Sequence, residues 1–232
     1  VIRRTLGACA LLLLALPLRA QLVGHLPEQS PFEDVTGRHL VGAQLGFFVA
    51  GSDPAGVAPG SGLALIGRYE YEVPGPLVLL ARVAYAPGLE RTVKDPLLTG
   101  PARIVGTRNE SLVMFDVGMA LSLTGEKAWR GLAPRVYGNL GMVGSTNSGF
   151  DVGGYRFGPK FMPNYGFAVR GAREGNWEWY ADLNHVLWRM QYPNSYSDDG
   201  ATVQPSIIGT GRKNPWNGNL MLTIGITRVW GR

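Results

Sequence analysis

From residue 41 onward, apolar and polar side chains alternate with a period of two, the pattern of β-strands, and no helical period of 3.6 is sustained. Eight runs carry it. The first sets Val41, Ala43, Leu45, Phe47 and Val49 against Gly42, Gln44, Gly46 and Phe48. The second sets Leu63, Leu65, Tyr69 and Tyr71 against Arg68, Glu70 and Glu72, and the third sets Leu77, Leu79, Ala81, Val83 and Tyr85 against Arg82 and Ala84. In the fourth, Val113, Phe115, Val117, Met119 and Leu121 oppose Asp116, Gly118, Ala120 and Ser122. The fifth has Val136, Leu140 and Met142 against Arg135, Tyr137 and Asn139; the sixth has Phe161, Tyr165, Phe167 and Val169 against Asn164, Gly166, Ala168 and Arg170. The seventh has Trp177, Trp179, Ala181 and Leu183 against Glu178, Tyr180, Asp182 and Asn184. The eighth has Leu220, Leu222, Ile224 and Ile226 against Met221, Thr223, Gly225 and Thr227. Each run approaches the roughly 9–11 residues of a tilted strand that spans a bilayer.

The connections alternate in length. Pro74-Gly75-Pro76, the stretch around Gly125–Arg130 and Arg173-Glu174-Gly175 are short. The stretches near 52–61, 87–109, 145–159 and 191–217 are longer. In an antiparallel sheet this puts all long loops at one end, as in outer-membrane barrels with short periplasmic turns.

Alternation does not say which face points inward. In a soluble lipocalin-like barrel the apolar face lines a cavity; in a membrane barrel it meets lipid. The polar faces decide for lipid. They carry both signs of charge, with Arg68, Arg82, Arg135 and Arg170 beside Glu70, Glu72, Asp116, Glu178 and Asp182. Such groups pair within a closed tube, as desolvated charges must. Small residues share those faces, leaving room for long side chains in an eight-stranded lumen that side chains can fill. Aromatics gather toward strand ends. Tyr69, Tyr71, Trp177, Trp179 and Trp230 form one expected girdle; Tyr85, Trp188 and Trp216, with Phe47 and Phe161, form the other. The expected fold is thus all-β: an eight-stranded antiparallel transmembrane barrel over residues 38–232, with a soluble secreted barrel as the lesser alternative.

The N-terminus changes the setting. Arg3 and Arg4 precede an apolar run from Leu6 to Leu18, and Leu18-Arg19-Ala20 ends it. This reads as a signal peptide over residues 1–20; it is too short for a spanning helix, which needs about 20 apolar residues. Residues 21–37 then form a periplasmic N-terminal segment. The single cysteine, Cys9, leaves with the signal, so neither a disulfide nor a cysteine–metal site is expected. Three arginines leave too, taking the formal charge from +5 to +2, which removes the case for nucleic-acid binding. Charged residues are only 17% of the chain and glycines number 33, consistent with a glycine-rich barrel rather than a disordered polar chain.

These features resemble the small outer-membrane barrels of the OmpA-transmembrane, OmpX and OmpW kind. The resemblance is one of pattern over the whole mature chain. Its most specific part is the final strand, Leu220 to Trp230, which ends in an aromatic, although Gly231 and Arg232 follow and Arg228 sits on the apolar parity. It implies location in the outer membrane of a Gram-negative-type bacterium, contact with membrane lipid and lipopolysaccharide, and insertion by the barrel-assembly machinery. For function it implies a structural or surface-interaction role with a filled lumen.

Catalysis has thin support. Among the small barrels are lipid A-modifying enzymes, for which His185 on the lipid-facing parity is the candidate base. Yet Asn184-His185-Val186-Leu187 lacks the adjacent serine of the PagL-type deacylases, and Ser195, Ser197, Asp198 and Asp199 lie in the following loop. His25 and His39 lie elsewhere in the chain. No metal-ligand spacing and no cofactor motif is present. A route for hydrophobic solutes is the other alternative, and it needs a gap in the wall. The long loops offer binding groups: Arg91, Lys94, Arg103 and Arg108 with Glu90, Asp95 and Glu110 in one, and Tyr192, Tyr196, Arg212, Lys213 and Trp216 in another.

Overall fold

The alternating runs form the wall of a closed barrel in a computed structural model that describes residues 30–34, 37–147 and 149–231. The expected signal peptide, most of the expected periplasmic segment and His25 fall outside the described residues. In chain order the strands are β1 (Phe32–Asp34), β2 (His39–Val49), β3 (Gly62–Glu72), β4 (Leu77–Lys94), β5 (Ile104–Ser122), β6 (Lys127–Trp129), β7 (Ala133–Ser145), β8 (Lys160–Glu174), β9 (Trp177–Arg189) and β10 (Trp216–Trp230). The eight long strands each pair antiparallel with their neighbours, and β10 closes on β2. β1 and β6 make a separate two-stranded sheet.

Closure fixes the tilt. Directly opposed residues run Trp230, His39, Tyr71, Leu79, Met119, Gly138, Tyr165 and His185. The path re-enters β10 at Leu220, ten residues from where it left. A stagger of this kind accompanies strongly tilted strands, so the row climbs from one rim toward the other. No open edge remains in the wall, as hydrocarbon requires.

Parity then sorts the side chains. Leu222 is 59% and Ile224 64% exposed on the outside, while Arg135 is 2% and Asp116 4% exposed within. An apolar outer belt around an ionic interior is a lipid-facing barrel; a soluble barrel would reverse the two. The short turns and the strand ends near Arg38 and Gly231 share one rim. Gly175 turns β8 into β9 with φ +61°, a left-handed conformation that suits glycine.

The wall differs from the expected runs in one respect. The stretch 87–109 is not simply a loop. β4 continues to Lys94 and β5 begins at Ile104, pairing through Leu89–Glu110, Arg91–Arg108 and Val93–Gly106. A register shift between Ala86 and Leu89 marks the place where Pro87-Gly88 interrupts the alternation. Beyond it the two strands pair only with each other, since β3 pairs with β4 only as far as Tyr85 and β7 with β5 only as far as Leu112.

Candidate functional site: a filled lumen and a protruding hairpin

Inward-facing residues of facing strands meet across a narrow tube, and they fill it in layers. Nearest the rim of short turns, Arg135 of β7 binds Glu70 and Glu72 of β3, and Arg170 of β8 binds Glu72. Arg170 Nε also donates to Glu178 of β9 at 2.7 Å. Deeper in, Arg68 Nε donates to Glu70 at 2.5 Å and Nη1 to Asp182, on β9, at 3.0 Å. The Arg68 guanidinium lies 4.0 Å from the centroid of the Tyr180 ring. Arg82 forks onto Asp116 at 3.0 and 3.1 Å and reaches Asn164 at 2.6 Å. Tyr137 joins the two groups: it accepts from Arg82 at 3.2 Å and donates to Asp182 at 3.0 Å. Its phenol fits because residue 166 is glycine; a Cβ there would lie 2.6 Å from the Tyr137 hydroxyl oxygen.

Thus Arg68, Glu70, Glu72, Arg82, Asp116, Arg135, Arg170, Glu178 and Asp182 are brought into one connected network. Four guanidiniums face five carboxylates. The extra carboxylate belongs at the mouth, where the Glu72 side chain keeps 19% of its surface open to solvent. Glu72 and Arg135 there line a cavity of about 460 Å³ with Arg38, Val78, Ser122 and Glu126.

Toward the long loops the filling becomes apolar. Phe48, Ile66, Met114, Met162, Val186, Trp188 and Met221 project from the wall. Phe157 enters from the β7–β8 loop and meets Trp188 edge-on at 5.6 Å; Phe48 stacks on Trp188 at 5.7 Å. This corrects one girdle expectation. Trp188 is 0% exposed inside the lumen, because its even parity matches Asn184 and Val186 rather than the lipid-facing Leu183. The other expected girdle residues, Tyr69, Tyr71, Tyr85, Trp177, Trp179, Trp216 and Trp230, stand on the outer face, Tyr71 half-buried.

Loops close over this apolar layer. Tyr155, Tyr192 and Tyr196 gather with centroids 6.2 to 6.3 Å apart. Asp53 fastens the first loop to them. Its carboxylate accepts from the backbone of Ala55, Val57 and Ala58, and from the Tyr192 hydroxyl. Burial, then the Asp53 carboxylate, pushes the Tyr192 phenol well above its ordinary range. Burial likewise raises Tyr155 and Tyr196. None of these three tyrosines carries a periodic signal in the sequence, and Phe157 and Asp53 do not either.

The cations of the hairpin are mostly spent internally. Arg91 is buried and held by Glu110 and Asp151. Arg108 pairs with Asp151, and Arg103 donates to the carbonyls of Leu98, Pro205 and Ser206. Apolar side chains stand out on the hairpin among exposed polar ones such as Glu90, Thr107 and Asn109: Leu97 is 60% and Ile104 56% exposed, and Val105 is nearly half exposed. Phe150 and Val152 stand out from the neighbouring loop.

His185 is at the outer half of the lipid face, with Nδ1 2.7 Å from the Tyr165 hydroxyl. Ser195 and Ser197 do not meet it; their hydroxyls donate to the carbonyls of Gly153 and Asn194. No cluster of metal-ligating side chains occurs among the described residues.

A closed, tilted, eight-stranded barrel with an apolar outer belt and an ionic lumen defines a small integral outer-membrane protein. No protein-family model and no curated protein matches the sequence. Solved structures do match in fold. The outer-membrane protein OprG of Pseudomonas aeruginosa aligns over 88% of this chain and 100% of its own, with TM-score 0.50 and 7% identity. Neisserial surface protein A aligns over 83% of this chain and 97% of its own, with TM-score 0.49 and 12% identity. Ail of Yersinia pestis aligns over 83% and 99%, with TM-score 0.42 and 13% identity. At these identities the likeness is one of fold alone.

Proposed function

We propose that the barrel is a filled, non-catalytic platform that holds the β4–β5 hairpin at the cell surface to engage a protein partner. One observation carries this reading. Above the wall, residues 104–107 of β5 pair with β4 on one side and have no neighbouring strand on the other. An edge with unpaired backbone groups and exposed apolar side chains is a template for an added strand. The β4 side of the hairpin is covered instead, with Gly60 donating to the Glu90 carbonyl and Tyr196 to that of Lys94.

The internal pairing of Arg91, Arg103 and Arg108 leaves fewer cations for lipopolysaccharide headgroups, which weighs against recognition by charge. The side-chain-filled lumen weighs against a solute path along the axis. Tyr165 as the hydrogen-bond partner of His185 weighs against hydrolysis there.

The reading is tested with the full barrel in nanodiscs. Replacing residues 96–103 by a two-residue turn, or Val105 by proline, should leave the heat-modifiable folded band intact and abolish capture of extracellular proteins. Trp216→Ala, away from the edge, should leave capture unchanged. Equal capture by all variants would refute the hairpin as the engaging element. Altered lipid A acylation that disappears in His185→Ala would instead establish an enzyme.

A further inference from the structure

The lipid-facing belt is uneven. A groove of about 570 Å³ opens in it over Ala81, between Tyr69, Tyr71 and Leu79 on one side and Val117 on the other. Its cause is local: Ala81 lies directly between Tyr69 and Val117 in register, and its methyl group leaves a gap between their larger side chains. An apolar recess on a face turned to hydrocarbon has the chemistry to take an acyl chain rather than water.

The same register row leads from the groove to a polar cluster. Ala81 opposes Tyr69, Tyr69 opposes Val41, and Val41 opposes Arg228. The stagger of the wall makes this row descend toward the chain-end rim as it runs from β4 to β10. There the Tyr69 hydroxyl lies 2.9 Å from His39 Nδ1, and the His39 ring stacks on Trp230 with centroids 6.2 Å apart. Arg228 stands on the same outer face of β10 two residues before Trp230, exposed, with its guanidinium 5.9 Å from the centroid of Trp177 on β9. An arginine so placed extends its charge into the headgroup zone. The groove and the cluster share Tyr69.

We infer that this face holds one glycerophospholipid of the periplasmic leaflet, with an acyl chain in the groove over Ala81 and its phosphate between Arg228 and His39. The lipid class follows from the side of the membrane. The short turns and strand ends mark the periplasmic rim, where the leaflet is built of phospholipid, and a phosphodiester matches a guanidinium beside an imidazole. The site is separate from the hairpin, and its failure would leave the surface-interaction reading standing.

The probe is phosphatidylglycerol. The full barrel is folded in phosphatidylethanolamine nanodiscs containing a minor fraction of spin-labelled phosphatidylglycerol, then released into mild detergent for native mass spectrometry. The wild type should retain one phosphatidylglycerol and show a motionally restricted spectral component. Ala81→Leu, which fills the groove, should lower retention about tenfold. Ala181→Leu, a lipid-facing enlargement on β9, should not. Arg228→Gln combined with His39→Gln should lower retention several-fold while the groove stays open, and it decides the matter if Ala81→Leu gives no folded band. Retention unchanged in Ala81→Leu, or in the rim variant, overturns the site, as does preferential retention of added lipopolysaccharide.

Discussion

Toward the rim of short turns the lumen is packed with four arginines and five carboxylates; toward the loops it is packed with Phe48, Met114, Met162, Trp188 and Met221. Both halves exclude solvent, but they do different work. The ionic half is made wholly of wall residues, and its bonds cross the tube. Arg68 on β3 reaches Asp182 on β9, and Arg82 on β4 reaches Asn164 on β8. Such bonds are directional, so they select one register and one stagger among the many an alternating sequence allows. The apolar half is closed by chain that is not part of the wall, through Phe157 and the tyrosine trio. It is non-directional and tolerates adjustment. The contrast separates what specifies the barrel from what caps it.

The hardest test of this contrast is to strip one charge from the ionic half. Arg68→Met leaves Glu70 with Arg135 as its one remaining cation and Asp182 with only the neutral donors Gln44 and Tyr137, in a fully buried layer. Removing one member of a buried pair costs about 3–5 kcal/mol. The urea midpoint for unfolding in detergent should fall accordingly. Removing both members is different. Arg82→Met with Asp116→Leu removes both charges together, which for an isolated pair is often close to neutral; here Asn139, Asn164 and Tyr137 each lose a partner, so the cost should be smaller than that of Arg68→Met but not zero. A double variant as damaged as Arg68→Met would show that the pair contributes far more than the compensation of its own charges.

The apolar half should break differently. Trp188→Ala removes the ring between Phe48 and Phe157, and a large aromatic lost from a packed core costs about 3 kcal/mol. The loss should fall on the cap. Trypsin should then cut at Arg156, Arg212 or Lys213 while the barrel still runs as a compact band before boiling. Global unfolding with no exposed loop sites would contradict the division of labour.

These two halves were unequally legible in the sequence. The wall is readable because a period of two has only two faces, and a tube eight strands wide assigns one of them to lipid. The failures share a cause. Trp188 lies near a strand end, where aromatics suit a headgroup girdle, but parity outranks position and sends it inward. The upper parts of β4 and β5 are hidden because Pro87-Gly88 breaks the alternation just where the strands leave the wall. Asp53, Tyr155, Phe157 and Tyr196 come from loops, whose residues meet only through the closed fold and have no spacing to betray them. The groove over Ala81 is equally silent, since it depends on which residues stand beside an alanine across two neighbouring strands.

The gentlest test of the contrast uses pH, because the two halves have different titrating groups within reach of the outer solvent. Tyr155, Tyr192 and Tyr196 have raised phenol pKa values in the folded cap, from burial and, at Tyr192, from Asp53. A raised phenol keeps its proton when folded and loses it near pH 10 when unfolded. Below pH 10 both states are protonated and the cap has its full stability. Above it the unfolded state binds fewer protons, so stability falls as pH rises. Each phenol contributes a slope of up to about 1.4 kcal/mol per pH unit between its unfolded and folded values. Loop cleavage by a protease active at alkaline pH should therefore accelerate between about pH 10 and 11, while the compact barrel band persists. Tyr192→Phe should flatten the rise, since one titrating phenol is gone, even though Asp53 then loses a donor at neutral pH. An acceleration of equal steepness in that variant would move the alkaline sensitivity away from the cap and into the wall.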